Sequence, residues 1–148
     1  FRHITFKNTK MHNIKNMNEH KKYMQLALNE AKKGYKKGFV PVGCIIIKNN
    51  TAEPKIIAKA YNNEFSHAEI LCIQKAQKKI GKYLNDCLLF CTLKPCKMCE
   101  EAIRLVHINN VIYACDCLKE ENRKIQYTSN IMESECAKLL QKFFKEKR

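Results

Sequence analysis

The sequence predicts an α/β fold built on a mixed sheet. Two observations predict it. First, β-branched apolar segments alternate with segments whose apolar residues recur every three or four positions, as strands and amphipathic helices require. Second, two strands joined by a short turn are antiparallel, whereas strands joined through a helix are parallel. We therefore expect the second, third and fourth strands to be parallel to one another and the first strand to be antiparallel to them.

The first part of the chain carries a helix and a hairpin. From Asn18 onward apolar residues follow a helical period, and Gly34 and Gly38 close this helix. Residues 42–48 and 55–61 are largely apolar and rich in β-branched side chains. They are predicted to be the first two strands, paired across a short turn.

The middle of the chain repeats a helix and a strand. Ser66 is a candidate cap for a helix that ends near residue 79. Residues 87–93 form the third predicted strand. Pro95 suits the first turn of a helix that ends near Leu105.

The last part of the chain completes the sheet. Residues 110–114 are predicted to be the fourth strand, residues 119–124 a polar loop, and residues 125–128 a short fifth strand. An amphipathic pattern predicts a final helix over residues 131–147. The 148 residues support one domain with a substantial core.

The amino-terminal end differs from the rest in composition. Residues 1–17 contain no acidic residue and little apolar periodicity. We expect them to be a disordered basic tail.

The charge balance narrows the class of partner. The chain has 28 Lys and Arg against 14 Asp and Glu, a net charge of +14. Such an excess favours polyanions such as nucleic acid. A codon bias toward Lys, Asn and Ile is an alternative explanation, because no compact basic motif is present.

The cysteines and the absence of a signal sequence indicate a compartment. Nine cysteines cannot all pair within the chain, and no secretory signal is visible. Reduced thiols in a cytoplasmic protein are expected, with a nuclear or organellar location as the eukaryotic alternative. No apolar run approaches the roughly 20 residues of a membrane-spanning helix.

Two short segments carry candidate metal ligands. His67 lies at the start of one predicted helix, and Cys96 and Cys99 lie in the first turn of the next. Parallel crossovers place both helix starts at the same edge of the sheet. One imidazole and two thiolates can converge there on a tetrahedral Zn²⁺, which leaves a fourth position open, as in catalytic zinc sites.

A carboxylate accompanies these ligands. Glu69 lies two residues after His67, close enough to reach the open side of the metal without ligating it. A carboxylate there can take a proton from the attacking water and return it to the substrate. The spacing His-x-Glu followed by Pro-Cys-x-x-Cys therefore predicts a catalytic zinc centre.

From about Asn18 to its end, the chain closely resembles the tRNA-specific adenosine deaminases, within the cytidine deaminase-like zinc enzymes. The zinc motifs carry the resemblance to the whole superfamily. Further matches are Val40-Pro41-Val42-Gly43, Asn62, Thr92-Leu93, Glu135-Cys136-Ala137, Leu139-Leu140 and Phe143-Phe144 followed by basic residues. Among these, the Val-Pro-Val-Gly segment and the final helix with Phe-Phe and basic residues point more narrowly to the tRNA branch.

The resemblance implies hydrolytic deamination of the wobble adenosine of tRNA, position 34, to inosine. It implies that His67, Cys96 and Cys99 bind one Zn²⁺ per chain and that Glu69 shuttles protons. It assigns substrate contacts to four residues: Val42, Asn62, Ala68 and Pro95.

The resemblance also implies a fold and partners. The expected fold is the three-layer cytidine deaminase-like fold, a mixed five-stranded sheet with helices on both faces, over residues 18–148. The expected partner is the tRNA anticodon stem-loop. We expect a homodimer, or a heterodimer with an inactive paralogous subunit, because the two helices that carry the zinc motifs are apolar on more than one face. Coverage of that face by the carboxy-terminal segment is the alternative.

Two other functions fit parts of the pattern. A deaminase of a free base or nucleoside, such as guanine, cytosine or cytidine, would use the same zinc core. A structural zinc module would use Cys96 and Cys99 with Cys115 and Cys117 in a ribbon-like spacing. The module would leave His67 and Glu69 without a role.

Overall fold

The structure of the chain is a computed structural model that describes residues 5–50, 52–116 and 125–147, with side-chain burial from residue 16 onward. Four helices and five strands lie within these residues. They are α1 (Thr5–Lys36), β1 (Gly43–Lys48), β2 (Lys55–Tyr61), α2 (Ala68–Ile80), β3 (Cys87–Leu93), α3 (Lys97–Leu105), β4 (Asn110–Cys115), β5 (Gln126–Thr128) and α4 (Glu133–Glu146).

The strands form one mixed sheet in the order β2-β1-β3-β4-β5. β1 is antiparallel to both of its neighbours, β2 and β3. β3, β4 and β5 are parallel to one another. The predicted α/β class and the strand directions are therefore confirmed.

Helices cover the sheet in two pairs. α2 packs against β1, β2 and α3, while α1 packs against β1, β2, β3 and α4. α4 also contacts β3 and β4. These contacts place α2 with α3 in one layer and α1 with α4 in another, so the three-layer expectation is confirmed. No helix among the described residues is both long and apolar enough to span a membrane.

The core lies where the central strands meet the helices. β1 is buried along almost its whole length, as expected of a strand with helices on both faces. The largest fully buried side chains include Phe90 of β3, Met24 of α1 and Ile45 of β1. A rigid sheet covered on both faces fixes the edge at which α2 and α3 begin.

Gly43 brings α1 into direct contact with the backbone of β1. A β-carbon at this position would lie 2.7 Å from the Ala31 nitrogen and 2.9 Å from the Ala27 carbonyl carbon, and closer still to the Ala27 carbonyl oxygen. Because all three are backbone atoms, no rotamer change could relieve the clash. The helix can lie this close to the strand only because residue 43 has no side chain.

The amino-terminal prediction differs from the structure. α1 begins at Thr5 rather than near Asn18. Residues 5–17 contain neither glycine nor proline, so nothing in the local sequence stops the helix. Among the described side chains, burial in this helix starts at Tyr23.

Three other helix boundaries also differ. Ser66 does not cap α2, which starts after His67. Pro95 lies before the first turn of α3, because Cys96 has an extended backbone (φ −68°, ψ 169°). α4 starts at Glu133, because Met132 adopts a left-handed conformation (φ 59°). The predicted loop over 119–124 lies outside the described residues.

Candidate active site

The start of α2 leaves the His67 side chain free. His67 is the residue that precedes the first helical turn, with an extended backbone, and its side chain makes no capping hydrogen bond. The Oδ1 atom of Asn62 instead accepts the Ala68 N–H at 2.6 Å. Asn62 thus satisfies a helix-end donor, and the imidazole can turn toward a ligand.

The start of α3 resembles that of α2, because the residue before its first turn is also extended and leaves its side chain uncapped. Cys96 precedes the first turn and makes no side-chain cap, and its carbonyl accepts the Glu100 N–H at 2.8 Å. The Lys94 N–H donates to the Cys115 carbonyl at 2.8 Å, which ties the β3–α3 connection to β4. Cys96 and Cys99 lie three residues apart, so their sulfurs project from one side of this helix end.

The two helix ends bring three donor atoms together. His67 Nδ1 lies 3.6 Å from Cys96 Sγ and 3.4 Å from Cys99 Sγ. All three ligand atoms lie within 4.8 Å of one another. Zn–N and Zn–S bonds of about 2.1 and 2.3 Å predict a tetrahedral N···S edge of about 3.6 Å. The donor set therefore fits zinc in both chemistry and spacing.

The environment of Cys99 opposes a free thiolate. Burial, and then the nearby Glu69 carboxylate, raise the pKa of the Cys99 thiol. A thiolate is the form that binds zinc, so the ion would have to displace this proton.

Glu69 lies beside the group of His67, Cys96 and Cys99. It is buried, with 4% of its surface exposed. Its Oε2 atom lies 3.7 Å from Cys99 Sγ. Its Oε1 atom accepts a hydrogen bond from the Cys91 thiol at 3.2 Å. A buried carboxylate held by sulfur donors next to a His-Cys-Cys group is placed to exchange protons rather than to form an ion pair.

A cavity of about 250 Å³ opens onto these groups. This volume lies just below the usual range for ligand pockets, about 300–1,000 Å³, and so suits a single heteroaromatic ring system. Its lining residues are Val40, Val42, Asn62, His67, Glu69, Leu93, Lys94 and Cys96.

The predicted substrate residues divide into two pairs. Val42 and Asn62 line the cavity. Ala68 and Pro95, both within the described residues, are buried but are not among its lining residues.

Sequence reasoning missed other features of this cavity. Val40, Leu93 and Lys94 also line it. Their positions in the sequence could have indicated this, because Val40 begins the Val-Pro-Val-Gly motif and Leu93 and Lys94 directly precede Pro-Cys-x-x-Cys. The contact between Cys91 and Glu69 carried a weaker signal. Cys91 lies two residues before Leu93 in β3, so the two side chains share a face of the sheet.

The ribbon-like zinc alternative is not supported among the described residues. Cys115 is buried, and its thiol donates to the Thr92 carbonyl at 3.2 Å. It is not a member of the His67, Cys96 and Cys99 group. Cys117 lies outside the described residues.

Comparison with known protein families agrees with this site. A model of the cytidine and deoxycytidylate deaminase zinc-binding region matches residues 17–115. The fold and the site define a zinc-dependent deaminase, which is a hydrolase, and the chain belongs to the cytidine and deoxycytidylate deaminase family.

Individual relatives of the chain are named for two different substrates, tRNA adenosine and cytosine. The chain is 33% identical to the tRNA-specific adenosine deaminase of Bacillus subtilis (strain 168), over 89% of this chain and 92% of the relative. It is 32% identical to the cytosine deaminase of Candida albicans, over 86% and 90%. A structure from studies of A-to-I editing by tRNA:A34 deaminases at the wobble position superposes with a TM-score of 0.68 and 28% identity, over 79% of this chain and 97% of that chain.

Proposed function

We propose that this protein hydrolytically deaminates adenosine to inosine in tRNA, at wobble position 34 of the anticodon. The observation that carries the proposal is the buried Glu69 carboxylate beside the His67, Cys96 and Cys99 group, at a cavity of about 250 Å³. The tRNA-specific relative, matched along most of its length, supports the choice of substrate.

His67, Cys96 and Cys99 are the proposed ligands of one Zn²⁺ per chain. When bound, the ion supplies the Lewis acidity that makes a water nucleophilic near neutral pH. Both cysteines lie at the amino-terminal end of α3, where the helix dipole favours thiolates.

Glu69 is the proposed proton carrier. Its Oε2 atom faces the ligand group, while Oε1 is held by Cys91. In the proposed reaction water adds to C6 of the adenine ring and ammonia leaves. Oε2 takes one proton from the water and delivers it to the ring nitrogen N1, where it remains in inosine. Oε2 then takes the second proton from the hydroxyl formed on C6 and delivers it to the amino group, which leaves as ammonia while the C6–N bond breaks and the C6 carbonyl forms.

Asn62 and Val42 are the proposed contacts to the base. Because Asn62 Oδ1 already accepts the Ala68 N–H, the Nδ2 group is left to donate toward the cavity. A purine ring nitrogen can accept that bond. Val42 supplies an apolar wall for the face of the ring.

A second cavity favours a polynucleotide over a free base. It measures about 540 Å³ and shares two wall residues, Val40 and Leu93, with the first cavity. Phe144 and Lys145 of α4 also line it. An apolar cleft with an aromatic ring and a cation suits nucleotides that flank the target, through stacking and phosphate contacts. Action on tRNA is also the reason for proposing a cytoplasmic location.

A free-base deaminase is the second candidate. The 32% identity to a cytosine deaminase favours it. Incubation with an anticodon stem-loop carrying A34, in parallel with cytosine, guanine and cytidine, separates the two. We expect inosine in the RNA and little ammonia from the free compounds. Ammonia from a free base with unchanged RNA would establish the second candidate.

Zinc content tests the ligand set. Cys96→Ser and Cys99→Ser are expected to lose bound zinc, because a serine hydroxyl is a poor zinc ligand. Cys115→Ser is the matched control, because Cys115 is also a buried thiol but donates to the Thr92 carbonyl. This variant should keep one zinc per chain. Elemental analysis of dialysed protein measures this. Retained zinc in either of the first two variants, or its loss in the third, would reverse the ligand assignment.

The salt dependence of RNA binding tests the basic carboxy-terminal end of α4. Lys142, Lys145 and Lys147 are exposed, whereas Phe143 between them is buried. Neutralising these lysines to Gln is therefore a cleaner test than deleting the segment. We expect the slope of log K against log salt to become shallower by about two, since each released phosphate contact is worth roughly 0.7–0.9.

The control for that measurement lies at the far end of α2. Lys78, Lys79 and Lys82 are exposed, and the end of α2 near which they lie is about 20 Å from His67 along the helix axis. Their replacement by Gln should leave the slope nearly unchanged. Equal slopes for the two triple variants would remove α4 from the proposed RNA surface.

We also propose that the protein is a dimer, either of identical chains or with an inactive paralogous subunit. Met98 and Leu105 of α3 are exposed by 59% and 58%. α4, the alternative cover, lies with α1 in the other helix layer. Glu69 is retained, so this chain would be the active partner. Light scattering at micromolar concentration should give about twice the chain mass of 17.4 kDa; a mass near 17.4 kDa would exclude the homodimer.

A further inference from the structure

The two oxygens of the Glu69 carboxylate have different partners. Oε1 accepts from the Cys91 thiol at 3.2 Å, and Oε2 lies 3.7 Å from the Cys99 sulfur. Glu69 is 4% exposed, and these two sulfur atoms are the side-chain partners that the described residues place at its oxygens. The orientation of this carboxylate therefore depends on two cysteines.

Only one of the two cysteines can keep donating. As a zinc ligand Cys99 is a thiolate, and a thiolate has no proton to give to Oε2. Among the described residues, Cys91 is then the side chain left to donate to Glu69. We propose that Cys91 is a positioning residue, an inference that rests on the proposed function. Its thiol holds Oε1 of Glu69 so that Oε2 faces the attacking water and the substrate base.

The backbone around Cys91 suits this task. Cys91 lies in β3, with antiparallel β1 on one side and parallel β4 on the other. It is fully buried and pairs with Cys44 in the strand register. A donor on a central strand moves little, so the carboxylate that it binds is held close to one orientation.

The protonation state of Cys91 agrees with a donor role. Burial is the main cause that raises the pKa of this thiol to about 11, and the charge of Glu69 adds to it. The S–H proton is thus present at neutral pH. A thiol is a weak donor, which is compatible with a carboxylate that must pick up and release a proton in each turnover.

A pair of isosteric variants separates the hydrogen bond from packing. Valine at position 91 fills the space without a donor, and threonine has the same shape with a hydroxyl donor. We expect Cys91→Val to lower kcat about tenfold with little change in KM, because misplacing a catalytic group impairs the chemical step. Cys91→Thr should recover most of that loss. Zinc content and melting temperature are compared in both variants.

Cys87→Val is the matched control. Cys87 is a buried thiol of the same strand and the same face, four residues from Cys91 and outside the cavity lining. The variant should keep the kcat of the parent protein. Equal kcat values for Cys91→Val and Cys91→Thr would overturn the positioning role. An increase in KM with an unchanged kcat would overturn it as well.

The hydrogen bond can also be measured without any substrate. The infrared S–H stretch of Cys91, obtained by subtracting the spectrum of Cys91→Val from that of the zinc-loaded parent, should lie at the low frequency of a thiol bound to a carboxylate. In a Glu69→Ala background the same difference band should move to higher frequency. A band that Glu69→Ala leaves unmoved would overturn the proposal even if the enzyme is active. If the parent deaminates nothing, the proposed function fails, and this spectrum still decides whether Cys91 holds Glu69.

Discussion

Glu69→Ala is expected to lower the rate of deamination by roughly 10⁴-fold, because one carboxylate serves in successive proton transfers. The fold should survive. A buried carboxylate whose hydrogen-bond partners are thiols contributes little to stability, so its removal should not lower the unfolding midpoint. Zinc should also remain, because Glu69 is not a proposed ligand. Single-turnover assays on the RNA substrate, with zinc analysis of the same sample, measure both effects.

The control for this variant is an acidic residue close by. Glu64 lies in the connection before α2 and is exposed. Glu64→Ala removes the same charge at an exposed position outside the cavity lining and should change the rate by no more than about twofold. A Glu69→Ala rate within about tenfold of the parent would rule out the proton-carrying role.

Gly43→Ala is expected to destabilise the protein by more than about 3 kcal/mol, above the usual cost of an added methyl group in a packed interior. The added carbon would meet backbone atoms of Ala27 and Ala31. Relief therefore requires α1 to move away from β1, which would open the contact on which the first helix layer depends. Because domains are stable by only about 5–15 kcal/mol, the shift in the urea midpoint should be large.

Gly34 of α1 provides the matched control. The three atoms nearest to a β-carbon there are side-chain atoms of Tyr61, the closest at 3.1 Å. A ring can move by the small distance required, and alanine favours the helix by about 1 kcal/mol. Gly34→Ala should therefore stay within about 1 kcal/mol of the parent. A Gly43→Ala protein as stable as this control would mean that α1 is not held as closely as the structure indicates.

Much of the architecture could be predicted because the patterns that define it are local. The strands at 55–61 and 87–93 have the bounds that their β-branched and apolar composition predicts. The strand directions followed from the helices that connect them. The helix starts were less accurate, because they depend on distant atoms. α2 is capped by Asn62, five residues before His67, and no local rule favours that oxygen over Ser66.

The candidate site shows the same division. His67, Glu69, Cys96 and Cys99 could be found from spacing, because metal chemistry restricts the residue types and helix geometry restricts the intervals. The structure brings these four side chains together. The Cys91 contact could not be found this way. A cysteine in an apolar strand is normally a small core residue, and the contact with Glu69 Oε1 becomes visible when α2 is packed against the sheet.

The convergence of two helix starts on one ion has a consequence for the topology of the chain. His67 and Cys96 are 29 residues apart, so an ion bound between them closes a loop through α2 and β3. Such a cross-link removes conformational freedom from the unfolded chain, an effect of about 3.6 kcal/mol for a covalent bond closing a loop of this size. Bound zinc would then act as a reversible cross-link as well as the cofactor of the reaction. The supply of zinc would determine the stability of the folded chain as well as its activity.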